Sequence, residues 1–184
     1  AALSEGLAEA AAAEEAAALP RWEDVDGGAD VDPEASRQLR VQDLQTPCYL
    51  LYRSVLERNA QRMLDRAKCL GCVLRPHQKT HKTLEAGAIV TGGTRRRIAV
   101  STLAEAEFFA DGGFDDILYA VPISADKLPR AAALARRLEA FHIAIDHEDT
   151  LTAVLARAPC PGKVWSVFLM VDCGYGRDGV DPRA

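Results

Sequence analysis

The densest run of reactive side chain types in the chain is Arg75-Pro76-His77-Gln78-Lys79-Thr80-His81-Lys82. It follows a short apolar stretch, and packing alone gives little reason for so many polar groups there. A lysine desolvated at the mouth of a crevice, or set beside other cations, can lose its proton. Its neutral amine then condenses with an aldehyde. Arg75 and Lys82 supply such neighbouring charge to Lys79. The competing reading is a solvated basic loop, and composition alone favours it. His77 and His81 are expected to act as hydrogen-bonding groups rather than metal ligands.

A second run is Val171-Asp172-Cys173-Gly174-Tyr175-Gly176-Arg177-Asp178-Gly179. Glycines around an arginine describe a tight loop whose backbone can approach a ligand closely. Arg177 stays charged, so it is a fixed cation for a phenolate, carboxylate or phosphate, or else part of an ordinary surface turn. Asp146 reads equally as the N-cap of a helix over Glu148–Ala158 or as a functional carboxylate. Cys69 and Cys72 form a lone C-x-x-C without a second pair, read as the end of a helix and the start of a strand. The triplet Arg95-Arg96-Arg97 reads as a solvated loop. No Walker loop, G-x-G-x-x-G, G-x-S-x-G or H-E-x-x-H occurs.

The elements that must position these residues repeat along the chain. Short apolar or β-branched runs at Cys48–Tyr52, Cys72–Arg75, Ile98–Thr102, Ile117–Val121, Phe141–Ile145 and Val164–Val171 predict six strands. Amphipathic stretches lie between them: Leu56, Ala60, Met63, Ala67 and Leu70 share one helical face, as do Leu128, Ala131, Ala135 and Leu138. Thr102-x-x-Glu105 is a capping box for the third helix. Strands alternating with helices mean a parallel sheet, and continuously apolar strands mean that both its faces are covered. An open doubly wound sheet and a (β/α)8 TIM-type barrel both fit. A barrel needs about 250 residues, so a barrel here would be incomplete. Residues 1–45 are expected to be an acidic, Ala/Glu-rich, flexible extension, with 46–184 the folded domain.

Charge narrows the function classes. Residues 1–36 hold ten acids against the single base Arg21, net −9; the whole chain is −5, which leaves +4 on the rest. That mildly basic body suits a small anionic molecule and lacks the basic stripe of a nucleic-acid binder. No long apolar run predicts a membrane span, and the acidic N-terminus resembles neither a signal nor a transit peptide. The odd cysteine count fits reduced thiols in the cytoplasm.

The run from Arg75 to Lys82 closely resembles the R-P-H-x-K-T-H-K signature of the D-serine dehydratase and D-threonine aldolase family, within the alanine-racemase-like class of pyridoxal-phosphate barrels. Thr46-Pro47, Ser101-Thr102-x-x-Glu105-Ala106 and Asp115-Asp116-Ile117-Leu118 resemble that family's junctions. Asp172-Cys173-Gly174-Tyr175-Gly176-Arg177 resembles the D-T-G-x-x-R stretch of the wider class. The resemblance covers roughly residues 44–181. It implies an alanine racemase N-terminal-like barrel in which Lys79 forms the Schiff base with pyridoxal 5'-phosphate and moves the α-proton. Arg177 matches the arginine facing the cofactor's phenolic oxygen, and His77 and Thr83 lie close enough to line the pocket. Gln78 departs from the smaller or apolar residue usual there, with a side chain expected to point outward. Cys173 and Gly176 depart too, the latter toward the racemase version of the loop.

The implied activity is that of a lyase on a D-β-hydroxy amino acid, with dehydration of D-serine to pyruvate and ammonia the leading expectation. D-threonine aldolase and amino-acid racemase are the alternatives. A non-catalytic cofactor-binding protein, or an inactive fragment that captures the cofactor weakly, is the reading from another class. The family's divalent metal, zinc by expectation, would be bound by ligands outside this chain. A complete member is expected to be a homodimer, with no membrane or nucleic-acid partner.

Overall fold

A computed structural model describes residues 40–183, so the expectation for the Ala/Glu-rich segment falls largely outside the described residues. Residues 40–49 belong to a unit of their own, with one 3-10 turn at Val41–Asp43 closed by an Arg40–Asp43 ion pair.

In the second unit, four strands form one parallel sheet in sequential order: β1 (Ile98–Val100), β2 (Asp116–Pro122), β3 (Ala140–Ile145) and β4 (Ser166–Leu169). Helices α1 (Arg53–Cys69) and α2 (Leu84–Val90) precede the sheet. Helices α3 (Leu103–Asp111), α4 (Leu128–Arg137) and α5 (Glu148–Leu155) make the crossovers that parallel pairing requires. The arrangement is that of an incomplete α/β barrel.

Strand alternation sorts the side chains into two sets. Ile98, Val100, Ile117, Tyr119, Phe141 and Ile143 form one core with the crossover helices. Phe109 and Phe114 meet edge-to-face there, ring centres 5.1 Å apart, and truncating either to alanine would cost about 3–5 kcal/mol. Residues of the other parity, among them Asp116, His142 and Ser166, project from the opposite face.

Two of the six expected strands do not form. Leu50–Tyr52 makes no ladder bond, and the Tyr52 carbonyl already accepts the Leu56 N–H as the cap of α1. The Cys72–Arg75 segment shrinks to a single parallel bridge, His77 with Ala99, in which the Ala99 N–H donates to the Pro76 carbonyl at 3.0 Å. Pro76 has no N–H to extend that ladder. Across from it, Arg97 sits at φ +60°, outside extended backbone. On the other side the chain turns at once into a 3-10 helix, Gln78–Thr80.

Other expectations are also corrected. Met63 and Leu70 are exposed, and only Ala60 and Ala67 of the α1 face are buried; the α4 face is buried throughout. Val167, Phe168 and Leu169 of β4 remain exposed rather than covered on both faces. The Thr102 hydroxyl caps Glu105 N–H at 3.0 Å, but the Glu105 carboxylate reaches Ser101 N–H at 2.8 Å, one residue beyond the usual capping-box partner.

Candidate active site

All four strands run the same way, so their carboxyl ends share one edge, where chain ends and turns present polar groups. Lys79 emerges there on the 3-10 turn after the Pro76–Ala99 bond. The loop holding Arg177 leaves the same edge after β4. Lys79 and Arg177 are thus on one end of the sheet, with β1, β2 and β3 between their strands.

Around Lys79 the polar groups are engaged in a specific way. The His77 Nδ1 accepts the Lys79 N–H at 3.2 Å, which puts the proton of the neutral ring on Nε2, 3.3 Å from the Ser101 hydroxyl. Burial, and then the Lys79 cation, hold His77 below the ordinary histidine pKa against the opposing pull of Glu105, so the ring is a neutral brace. Lys82 pairs with Glu105 at 3.0 Å. Burial pushes the Glu105 carboxyl up, but the Ser101 N–H and then Lys82 more than offset it, and the group stays ionised below the usual carboxylate range. Lys79 has no ion-pair partner among the described residues. The expected crowding of Lys79 by bare cations is therefore not what forms: Lys82 is neutralised by Glu105, and Arg75 by Asp116.

Arg75 is the centre of a second network on the same face. One guanidinium nitrogen donates to Asp116 Oδ1 at 2.7 Å and to the Ile98 carbonyl at 3.2 Å. His142 Nε2 lies 3.2 Å from the same carboxylate oxygen, and its Nδ1 lies 2.7 Å from the Ser166 hydroxyl. Nε2 lies nearer to the Asp116 carboxylate, which only accepts, than to Arg75 Nη2 at 3.5 Å, which assigns the His142 proton to Nε2 and leaves Ser166 to donate to Nδ1. Burial, with Arg75 adding to it, keeps His142 below its ordinary pKa despite Asp116. Sequence reading missed Asp116, His142, Ser166 and Ser101. The available signal was one of parity: a lone histidine alternating with Phe141 and Ile143 must point away from their core.

The glycine loop is closed on itself. Asp172 N–H donates to the Val180 carbonyl, Val180 N–H returns to Met170, and Asp172 Oδ1 accepts from Gly174 and Gly176 N–H at 2.8 and 3.0 Å. Those two amides, Gly176 first, hold the Asp172 carboxyl below its usual range. Asp146 binds Gly179 N–H at 3.2 Å, and it is His147, not Asp146, that caps α5. Hence these backbone donors are taken internally and do not form a phosphate cradle. Arg177 stands out from the loop, paired with Asp178 at 3.1 Å and set 5.3 Å from the Tyr175 ring centre. Thr83 is occupied as the cap of α2, accepting Ala86 N–H at 3.4 Å. Gln78 points inward, contrary to expectation: it opens the 3-10 turn and is fully buried beside Gly87, Phe109 and Phe114.

An unpaired primary amine beside a neutral imidazole fits an aldehyde cofactor. Among the described residues no three His, Cys, Asp or Glu side chains converge as a metal set, and no helix is long and apolar enough to cross a membrane. All described cysteines are free thiols, including Cys69 at the end of α1 and Cys72 after it.

A family model described as alanine racemase, N-terminal domain, matches residues 52–184. The chain is 40% identical over 152 residues to a D-serine dehydratase of Dictyostelium discoideum, covering 78% of this chain and 38% of the relative. It is 32% identical over 143 residues to a 3-hydroxy-D-aspartate aldolase of Paracoccus denitrificans, covering 77% and 37%. The structure of D-threo-3-hydroxyaspartate dehydratase from Delftia sp. HT23 superposes with a TM-score of 0.69 at 35% identity, covering 75% of this chain and 36% of that one. The chain thus spans little more than a third of the length of the relatives it matches.

Proposed function

Because the chain belongs to the family of alanine racemase N-terminal domains, we propose that it forms the amine-bearing part of a pyridoxal-phosphate-dependent lyase acting on a D-β-hydroxy amino acid. The observation that carries this reading is the contrast between two lysines on one short segment. Lys82 is tied to Glu105, whereas the Lys79 amine is exposed and unpaired, at the carboxyl end of a parallel sheet. Bound there, the cofactor supplies an electron sink that makes the substrate's Cα–H acidic.

The chain's own groups then have separable tasks. Lys79 Nζ would hold the cofactor by its aldehyde, and the same amine would accept the substrate's α-proton. His77, neutral and donating to Ser101, fixes the Lys79 peptide without competing as a base. Arg177 offers a permanent cation at the same edge, where it would face the cofactor's phenolic oxygen. Its partner Asp178 must then share or release it. Thr83 contributes through the position of α2. A divalent metal such as zinc would assist loss of the β-hydroxyl, with ligands supplied from outside this chain. Dehydration of D-serine is the leading reaction, supported by the name of the Dictyostelium relative. Cleavage of the Cα–Cβ bond is the second reading, favoured by the Paracoccus relative.

The test is borohydride trapping after incubation with pyridoxal 5'-phosphate, with the labelled peptide identified by mass spectrometry. Label is expected on Lys79, lost in Lys79→Ala and kept in Lys82→Ala. Loss of label in Lys82→Ala with retention in Lys79→Ala would overturn the assignment.

A further inference from the structure

The segment that carries Lys79 is joined to its neighbouring strand by one isolated parallel bridge, His77 with Ala99. Ala99 donates to Pro76, and the ladder does not extend upstream, since Pro76 lacks the N–H and Arg97 sits at φ +60°. One isolated bridge fixes the chain at a single point and leaves the residues before it without a ladder to hold their height and tilt. Side chains supply what the ladder lacks. Two residues before Lys79, His77 reaches Ser101 beyond the end of β1. Two residues before that, Arg75 takes the Ile98 carbonyl of β1 and crosses it to the Asp116 carboxylate of β2. Asp116 is in turn fixed by His142 of β3, which is fixed by Ser166 of β4.

We propose that Arg75, anchored on Asp116, is the positioning residue that sets where the Lys79 amine stands. This rests on the reading of Lys79 as the cofactor's lysine. The hydrogen-bond partners of Arg75 are the Ile98 carbonyl, Asp116 and His142, and the Lys79 amine is not among them. It acts by fixing the backbone that carries Lys79. A guanidinium suits the task because one planar group can satisfy a carbonyl and a carboxylate together, which a lysine ammonium does with less directional definition.

The experiment is competition between two lysines of the same molecule. The protein, Arg75→Met, Arg75→Lys and Asp116→Asn are incubated with pyridoxal 5'-phosphate well below their melting temperatures, reduced with borohydride, and the ratio of label on Lys79 to label on Lys82 is measured. Lys82 reports general accessibility, so a loss of structure that merely loosens the protein lowers protection of both. The expected result is a fall in the ratio of about fivefold or more in Arg75→Met and Asp116→Asn, with partial recovery in Arg75→Lys, because displacement of a reacting atom by about 1 Å carries a large cost in rate. An unchanged ratio in folded Arg75→Met, or in folded Asp116→Asn should Arg75→Met fail to fold, overturns the positioning role and leaves the Lys79 assignment standing. Preferential labelling of Lys82 in the unsubstituted protein overturns both.

Discussion

Replacing Gln78 with methionine should stabilise the protein. The Gln78 side chain is fully buried, its Nε2 donates to the Pro76 carbonyl at 3.0 Å, and its Oε1 is buried without a hydrogen-bond partner. The neighbours explain the orphan: Oε1 lies 3.3 Å from the point where a Cβ on Gly87 would stand, in the layer that also holds Phe109 and Phe114. Methionine has nearly the same length and no polar terminus, so it fills the space without a new cavity. The substitution loses one neutral hydrogen bond, worth about 0.5–1.5 kcal/mol, and relieves an unsatisfied buried acceptor, worth about 1–3 kcal/mol. The Pro76 carbonyl is not stranded, because Ala99 N–H still donates to it. The balance is a gain of about 1 kcal/mol, or roughly 2–4 °C in melting temperature for a chain of this size. Urea unfolding followed by circular dichroism, at constant m-value, measures it. A loss of more than about 1 kcal/mol would refute the reasoning, since the carbonyl oxygen must then have a partner whose removal costs a full bond.

Gly179→Ala should disrupt the Arg177 loop. Gly179 sits at φ +103°, and a Cβ there would lie 2.5 Å from the Asp172 backbone nitrogen and 2.7 Å from the Val171 carbonyl carbon. Neither atom can move aside as a side-chain tip can, so a cost of at least about 2 kcal/mol is expected, with faster proteolysis at the loop as the local readout. Stability should also fall on acidification through the range below the ordinary histidine value of 6.5. His77, His81 and His142 are all held below that value, chiefly by burial, so the unfolded chain binds protons there that the folded chain refuses. The urea midpoint should therefore drop between pH about 7.5 and pH about 5.5, and less so in His142→Asn; a flat or rising midpoint would contradict the assignment of neutral rings.

Local signals in the sequence were read correctly where local physics decides the outcome. The alternation of apolar runs with amphipathic stretches gave the parallel sheet, the buried stripe of α4 and the Thr102 cap, because periodicity and capping depend on residues within a turn or two of each other. The place of Lys79 just past its segment's contact with β1 was visible, though that segment makes one bridge rather than a strand. What the sequence hid depends on distant partners or on backbone that no pattern encodes. Arg75 looked like a source of repulsive charge, whereas a carboxylate 41 residues away neutralises it. The second strand looked regular until Pro76 met a left-handed Arg97. Gln78 looked free to point outward, yet the tight turn it opens seats its side chain beside Gly87, Phe109 and Phe114. Asp146 looked like a cap for the helix beside it, and instead holds the glycine loop of Arg177.

A barrel interior is ordinarily filled by layers of branched apolar side chains. The layer beneath Lys79 is instead Arg75, Asp116, His142 and Ser166, joined in that order across the sheet. Stability does not account for it, since a partly buried ion pair contributes modestly, and exchanging even a well-paired buried one for apolar residues of similar volume is often neutral or favourable. Direction does. Apolar burial is non-directional and tolerates a strand that slides or tilts, whereas a guanidinium bonded to one carbonyl and one carboxylate is satisfied in one arrangement only. The lysine-bearing segment needs such a constraint more than the strands do, because its backbone is tied to β1 by one isolated bridge. Replacing the pair together by apolar residues would thus leave a stable fold and a poorly aimed amine, separating two properties that a purely structural ion pair would change in step.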